Sequence, residues 1–128
     1  MTYLPEKCTF SKELLWLKMF ENKIYVGFTN QFLDPFVKID LVDVRDGISF
    51  KRGEVCGIIY SKTKFQKMIM PISGTILSVN MNIFLDPTLF NLEPYRHWVM
   101  IIDMLNPGEL NELLSNDEYK KLIDCIIK

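Results

Sequence analysis

Apolar positions along this chain fall in short runs, separated by polar pairs and by glycine- and proline-marked turns. Most runs are too short for helices, and several alternate as strands do. Residues 16–20 and 23–28 flank the acidic-polar pair Glu21-Asn22, which predicts a β-hairpin. Residues 29–33 predict a short helix or turn, stopped by Asp34-Pro35. Residues 36–44 alternate loosely and predict a strand. Asp46-Gly47 and Lys51-Arg52-Gly53 mark turns around the short run 48–50. Residues 55–60 and 65–70 predict two paired strands joined by a polar, lysine-rich tip at 61–64. Ser73-Gly74 then leads into a strand over 75–79. A helical turn is expected over 87–90 and an apolar strand over 97–104.

After Asn106-Pro107-Gly108, residues 109–127 predict one or two helices. Leu110, Leu113 and Leu114 form one apolar stripe, and Leu122, Ile123 and Ile126 another. Ser115 followed three residues later by Glu118 matches a capping box. Many short strands with terminal helices predict a small sandwich or barrel. The segments 46–53 and 72–80 each place a glycine turn before a strand, on opposite sides of the lysine-rich tip. That echo is the pseudo-symmetry expected of a two-sheet domain capped by the tip.

Composition narrows the function classes. At 128 residues the chain is expected to form one domain over 1–128, with a core over about 10–105 and C-terminal helices over about 107–127. Net charge is -1, from 15 basic and 16 acidic residues, which argues against non-specific nucleic-acid binding. No apolar run approaches the roughly 20 residues of a membrane span. The N-terminal stretch has neither the apolar region of a signal peptide nor the arginine-rich character of a transit peptide. A cytoplasmic location follows, or a mitochondrial matrix one if a transit peptide was removed. Cys8, Cys56 and Cys125 are widely spaced, without a C-x-x-C, and read as reduced thiols, with Cys56 in the core. His97 has no partner at metal-ligand spacing and reads as a structural histidine beside Trp98. With no nucleophile–base pair and no metal set in the sequence, a stand-alone enzyme is disfavoured. Trp16, Val26, Val79, Phe84 and Trp98 are the expected core.

Several motifs, in order, carry a resemblance. Phe10-Ser-Lys-Glu-Leu-Leu-Trp16 is similar to Y-T-x-x-H-E-W, and Val26-Gly27-Phe28-Thr29 to V-G-I-T. The segment from Pro71 to Asn80 is similar to P-V-S-G-x-V-x-x-V-N, and that from Asp86 to Tyr95 to N-P-x-L-V-N-x-x-P-Y. Over nearly the whole chain the sequence resembles the H protein of the glycine cleavage system. The resemblance implies a mainly β lipoyl/biotinyl-type barrel-sandwich hybrid of two antiparallel sheets with C-terminal helices. It implies a carrier without catalysis of its own, bearing lipoate on a hairpin lysine for aminomethyl transfer. The implied partners are glycine decarboxylase, aminomethyltransferase, dihydrolipoamide dehydrogenase and lipoate ligase.

In that family the lipoyl lysine falls six residues after a glycine and eight before the proline of P-V-S-G. Counted from Gly57 and back from Pro71, both anchors select Thr63. Thr63 cannot form the amide. Lys64 and Lys62, on either side, are the candidate lipoyl lysines, with Lys64 ahead; the alternative is that both are solvated tip residues. Lys67 reads as an edge-protecting charge. The family's glutamate three positions before the lysine is Tyr60 here, and its opening His-Glu is Leu14-Leu15. The scaffold is retained while the hairpin departs from the pattern. Two functions stay open: a lipoyl carrier, or a homologue without lipoate that serves as a binding or regulatory module. Asp40, Asp43, Asp46 and Glu54 are candidate partner-facing acids, or charges that solvate turns.

Overall fold

The computed structural model describes residues 8–36 and 38–127. The first elements are β1 (Thr9–Phe10), β2 (Leu15–Phe20), β3 (Lys23–Phe28) and α1 (Asn30–Leu33). Next come β4 (Leu41–Val44), β5 (Ser49–Phe50), β6 (Val55–Tyr60), β7 (Phe65–Ile69) and β8 (Gly74–Val79). The chain ends through α2 (Met81–Leu85), α3 (Thr88–Leu92), β9 (Met100–Met104), a 3-10 segment (Pro107–Glu112) and α4 (Asn116–Ile127). One sheet runs β1-β2-β3-β9-β8-β5 and the other β4-β6-β7, with every pairing antiparallel.

The hairpin β2–β3 closes on Glu21 (φ 50°) and Asn22 (φ 65°), the two left-handed residues that a tight twisted hairpin needs. Asn tolerates that conformation through its short polar side chain. Inward residues of both sheets, among them Leu17, Val26, Val42, Val44, Ile59, Met68, Ile76 and Ile102, share one buried cluster with Phe28, Phe32 and Phe90. A second cluster joins Phe10, Trp16, Tyr119 and Ile123, with Phe10 stacked on Tyr119 at 4.4 Å. It docks α4 on the outer side of β1–β2. Ser115 and Glu118 make the reciprocal capping box: Ser115 N–H donates to Glu118 Oε1 (3.0 Å) and Glu118 N–H to Ser115 Oγ (3.2 Å). Those bonds hold the Glu118 carboxyl below its ordinary pKa.

Thr29 is the helix cap of α1 and a node between layers. Its hydroxyl donates to Leu14 O (2.7 Å), and accepts from Phe32 N–H (3.2 Å) and from Tyr119 O–H (2.8 Å).

Four expectations change. The strand expected over 36–44 is only Leu41–Val44. Phe36 and Ile39 are buried all the same, outside any strand, and ladder bonding begins where Asp40 N–H meets Tyr60 O (2.9 Å). The strand expected over 97–104 starts at Met100, because Trp98 O turns aside to accept from Asn80 Nδ2 (3.0 Å). Residues 81–92 hold two short helices rather than one helical turn. Val79, Phe84 and Trp98 are half-buried rather than core; the Trp98 ring stands edge-on to Tyr25 at 5.6 Å. Trp16 and Val26 are buried as expected. Expectations placed on residues 1–7 and 37, and on the side chain of Ile126, lie outside the described residues.

Candidate functional site: the β6–β7 hairpin tip

The strands β6 and β7 pair as Ile58↔Lys67, Ile59↔Gln66 and Tyr60↔Phe65. Beyond the last pair, Ser61 N–H donates to Lys64 O (2.8 Å), and Ser61 Oγ accepts from Lys64 N–H (3.2 Å). The ladder's last pair is Tyr60–Phe65, and these bonds close a turn from Ser61 to Lys64 with Lys62 and Thr63 as its two corner residues. Every residue from Lys62 to Lys67 is exposed. The base is fixed: Cys56, Ile59, Met68 and Met70 are buried, and Gly53 N–H and Met70 N–H bond across to Met70 O and Glu54 O. A rigid base with a free apex is what a displayed group needs.

Both anchors of the register are held by packing. A Cβ on Gly57 would meet the Val44 side chain and lie 2.8 Å from Asp43 O, so β4 can approach only a glycine there. On the other side, Ser73 donates from N–H (2.6 Å) and from Oγ (2.9 Å) to the two carboxylate oxygens of Glu109. That clamp ties the turn after β7 to the 3-10 segment, where Glu112 also pairs with Arg52. Glu109 was invisible as a site-supporting residue in the sequence; its partner is 36 residues away.

An open groove of about 360 Å³ runs beneath the tip, lined by Pro35, Lys38, Asp40, Ser61, Lys62, Thr63 and Lys64. Lys62, Thr63 and Lys64 thus share one end of the molecule with Asp40. Lys67 lies three residues further along β7. Asp43 pairs with Arg45 (3.4 Å), and Glu54 Oε1 accepts from Lys51 N–H (2.6 Å), so these two acids serve local turns and strand ends. Cys56 is buried, its thiol pushed up to about 12 by burial, and Cys8 is raised for the same reason. His97 is half-buried. Among the described residues no group of three or more His, Cys, Asp or Glu is arranged to hold a metal, and no helix is long and apolar enough to cross a membrane.

The family model described as "Glycine cleavage H-protein" matches residues 8–126. The chain belongs to the glycine cleavage H-protein family. It is 32% identical to the glycine cleavage system H protein of Carboxydothermus hydrogenoformans over 128 residues, covering 97% of each chain. It is 32% identical to that of Thermoanaerobacter pseudethanolicus over 118 residues, covering 90% of this chain and 92% of the relative. The crystal structure of an H protein from Mycobacterium marinum superposes with a TM-score of 0.81 at 24% identity, covering 91% of this chain and 95% of that one. The likeness establishes the fold, a barrel-sandwich hybrid of two antiparallel sheets with C-terminal helices.

Proposed function

We propose that the chain acts as one H-protein-type lipoyl domain, a carrier scaffold without catalysis of its own, in glycine cleavage or lipoate metabolism. The observation that carries this is the hairpin apex: a two-residue corner on a buried base, with exposed primary amines on Lys62 within it and on Lys64 beside it. These residues fit an amide-linked group. Lys64 and Lys62 each offer an exposed amine on a long stem, and the groove below the tip leaves space for a tether. A lipoyl group would supply a redox-active sulfur pair able to receive an aminomethyl unit. The protein's own part is to hold the amine clear of the body, on strands that do not yield when a partner engages the tip.

A second reading has its own observation. Thr63, not a lysine, occupies the second corner position, while Lys64 lies immediately before β7 with its backbone bonded to Ser61. An amine moved by one residue along a strand points to the other face. On this reading wild-type protein is poorly modified and works chiefly as a binding module. Under either reading the partners are glycine decarboxylase, aminomethyltransferase, dihydrolipoamide dehydrogenase or lipoate ligase, in a cytoplasm-like compartment. Intact mass after co-expression with a lipoate ligase and lipoate separates the two. A carrier gains one lipoyl amide, lost in Lys64→Ala or Lys62→Ala; a binding module gains none until Thr63→Lys is made.

A further inference from the structure

The outer face of the three-stranded sheet is apolar where a solvated sheet face is ordinarily polar. The register settles which residues share it. Val42, Val44, Ile59 and Met68 point into the core, so their neighbours point out. Leu41, Tyr60 and Phe65 form one cross-strand row immediately below the tip. Asp43, Ile58 and Lys67 form the next row, and Val55 and Ile69 close the face beyond a bulge. Leu41 is 51% exposed and Phe65 64%. Six of these eight residues are apolar, and Asp43 is already paired with Arg45. A contiguous patch of this kind marks an interaction site more often than chance exposure does.

The surrounding charge identifies what fits it. Lys67 stands exposed in the second row of this face and Lys38, Lys62 and Lys64 around the tip, and among the described residues none of the four is in an ion pair. Asp40 is the carboxylate that shares their groove. We propose that the row Leu41–Tyr60–Phe65 is a docking surface for a partner protein whose recess has an apolar wall and a rim of carboxylates. The partner takes the hairpin tip and the row beside it together. Tyr60, which stands where the resemblance leads one to expect a glutamate, is then part of the apolar contact. The inference deepens the carrier reading and rests on it for the partner's identity, but it does not require that any lysine be modified.

Binding of the full-length, unmodified chain tests it. Cys125 is exposed while Cys8 and Cys56 are buried, so a fluorophore can be placed on α4, on an element separate from the patch. The labelled chain is titrated with purified glycine decarboxylase from the same organism, followed by anisotropy at low and moderate salt. Leu41→Ser and Phe65→Ser are each expected to weaken binding about tenfold or more, the usual effect of truncating an apolar anchor. Wild-type affinity should fall as salt rises, from loss of the lysine–carboxylate attraction. Leu85→Ser, at a residue 82% exposed on α2, should bind as wild type does. Equal affinity for wild type and Phe65→Ser overturns the proposal, as does absence of wild-type binding. A wild-type dimer in sedimentation that Phe65→Ser converts to monomer overturns it too, since the face would then cover a second copy. Failure of lipoylation, read by mass in a separate sample, leaves the docking result intact.

Discussion

Gly27→Ala probes the packing of Trp16, part of the second core cluster, on β3. Gly27 faces Trp16 across the β2–β3 ladder, and the Trp16 indole lies directly over it. An added Cβ would collide with three indole atoms, Cε2, Cζ2 and Nε1. Trp16 is 5% exposed and donates from Nε1 to Pro94 O (3.1 Å), so a shift of the ring strains that bond. Overpacking of this kind costs about 1–3 kcal/mol. If the indole shifts far enough to lose Pro94 O, a buried unpaired group adds about 1–3 kcal/mol. The expected loss is thus about 1–3 kcal/mol by urea unfolding if the Pro94 bond survives and about 2–6 kcal/mol if it breaks, with the denaturant slope unchanged. In a Trp16→Leu background the same alanine has no ring to strike, and its cost should fall below about 1 kcal/mol, a coupling that a double-mutant cycle reads directly. A loss under about 0.5 kcal/mol in the wild-type background, the scale of an ordinary surface change, would refute the packing argument.

Other expectations follow from the same geometry. Trp98→Ala should cost clearly less than the about 3–5 kcal/mol of a fully buried aromatic, and less than Trp16→Ala, when both are compared by thermal unfolding. Ser115→Ala should remove about 1 kcal/mol by urea unfolding through loss of the α4 cap. Because the folded Glu118 carboxyl titrates below its unfolded value, its contribution is present above the unfolded pKa and fades as pH falls through the folded one. Glu118→Gln should therefore shrink the difference in stability between neutral and acid pH, measured by urea unfolding at each. Iodoacetamide at neutral pH should label Cys125 alone in the native protein, and all three thiols once unfolded; labelling of Cys56 under native conditions would contradict its burial.

The sequence made the hairpins legible because their signals are local. Alternation over a few residues and a polar or glycine turn sufficed for β2–β3 and β6–β7. The exposed tip over 61–64 was legible too, as a polar break between two apolar runs. What misled was burial without a ladder. Phe36 and Ile39 look like strand residues because they are apolar and alternate, yet a loop buries them equally well. Trp98 looks like core because it is large, yet the strand starts two residues later and leaves it beside Tyr25. The Glu109 clamp and the Leu41–Tyr60–Phe65 row were not legible, because each depends on segments brought together only by the sheet register.

The carrier reading requires that an exposed amine at the tip, Lys64 or Lys62 beside Thr63, accept lipoate. Intact mass decides it most directly: wild type, Thr63→Lys, Lys62→Ala and Lys64→Ala, each co-expressed with a lipoate ligase and supplied with lipoate. A carrier is expected to show one lipoyl mass on wild type, lost in Lys64→Ala or in Lys62→Ala. No lipoyl mass on wild type, with full modification of Thr63→Lys alone, would contradict the carrier reading and favour the binding module.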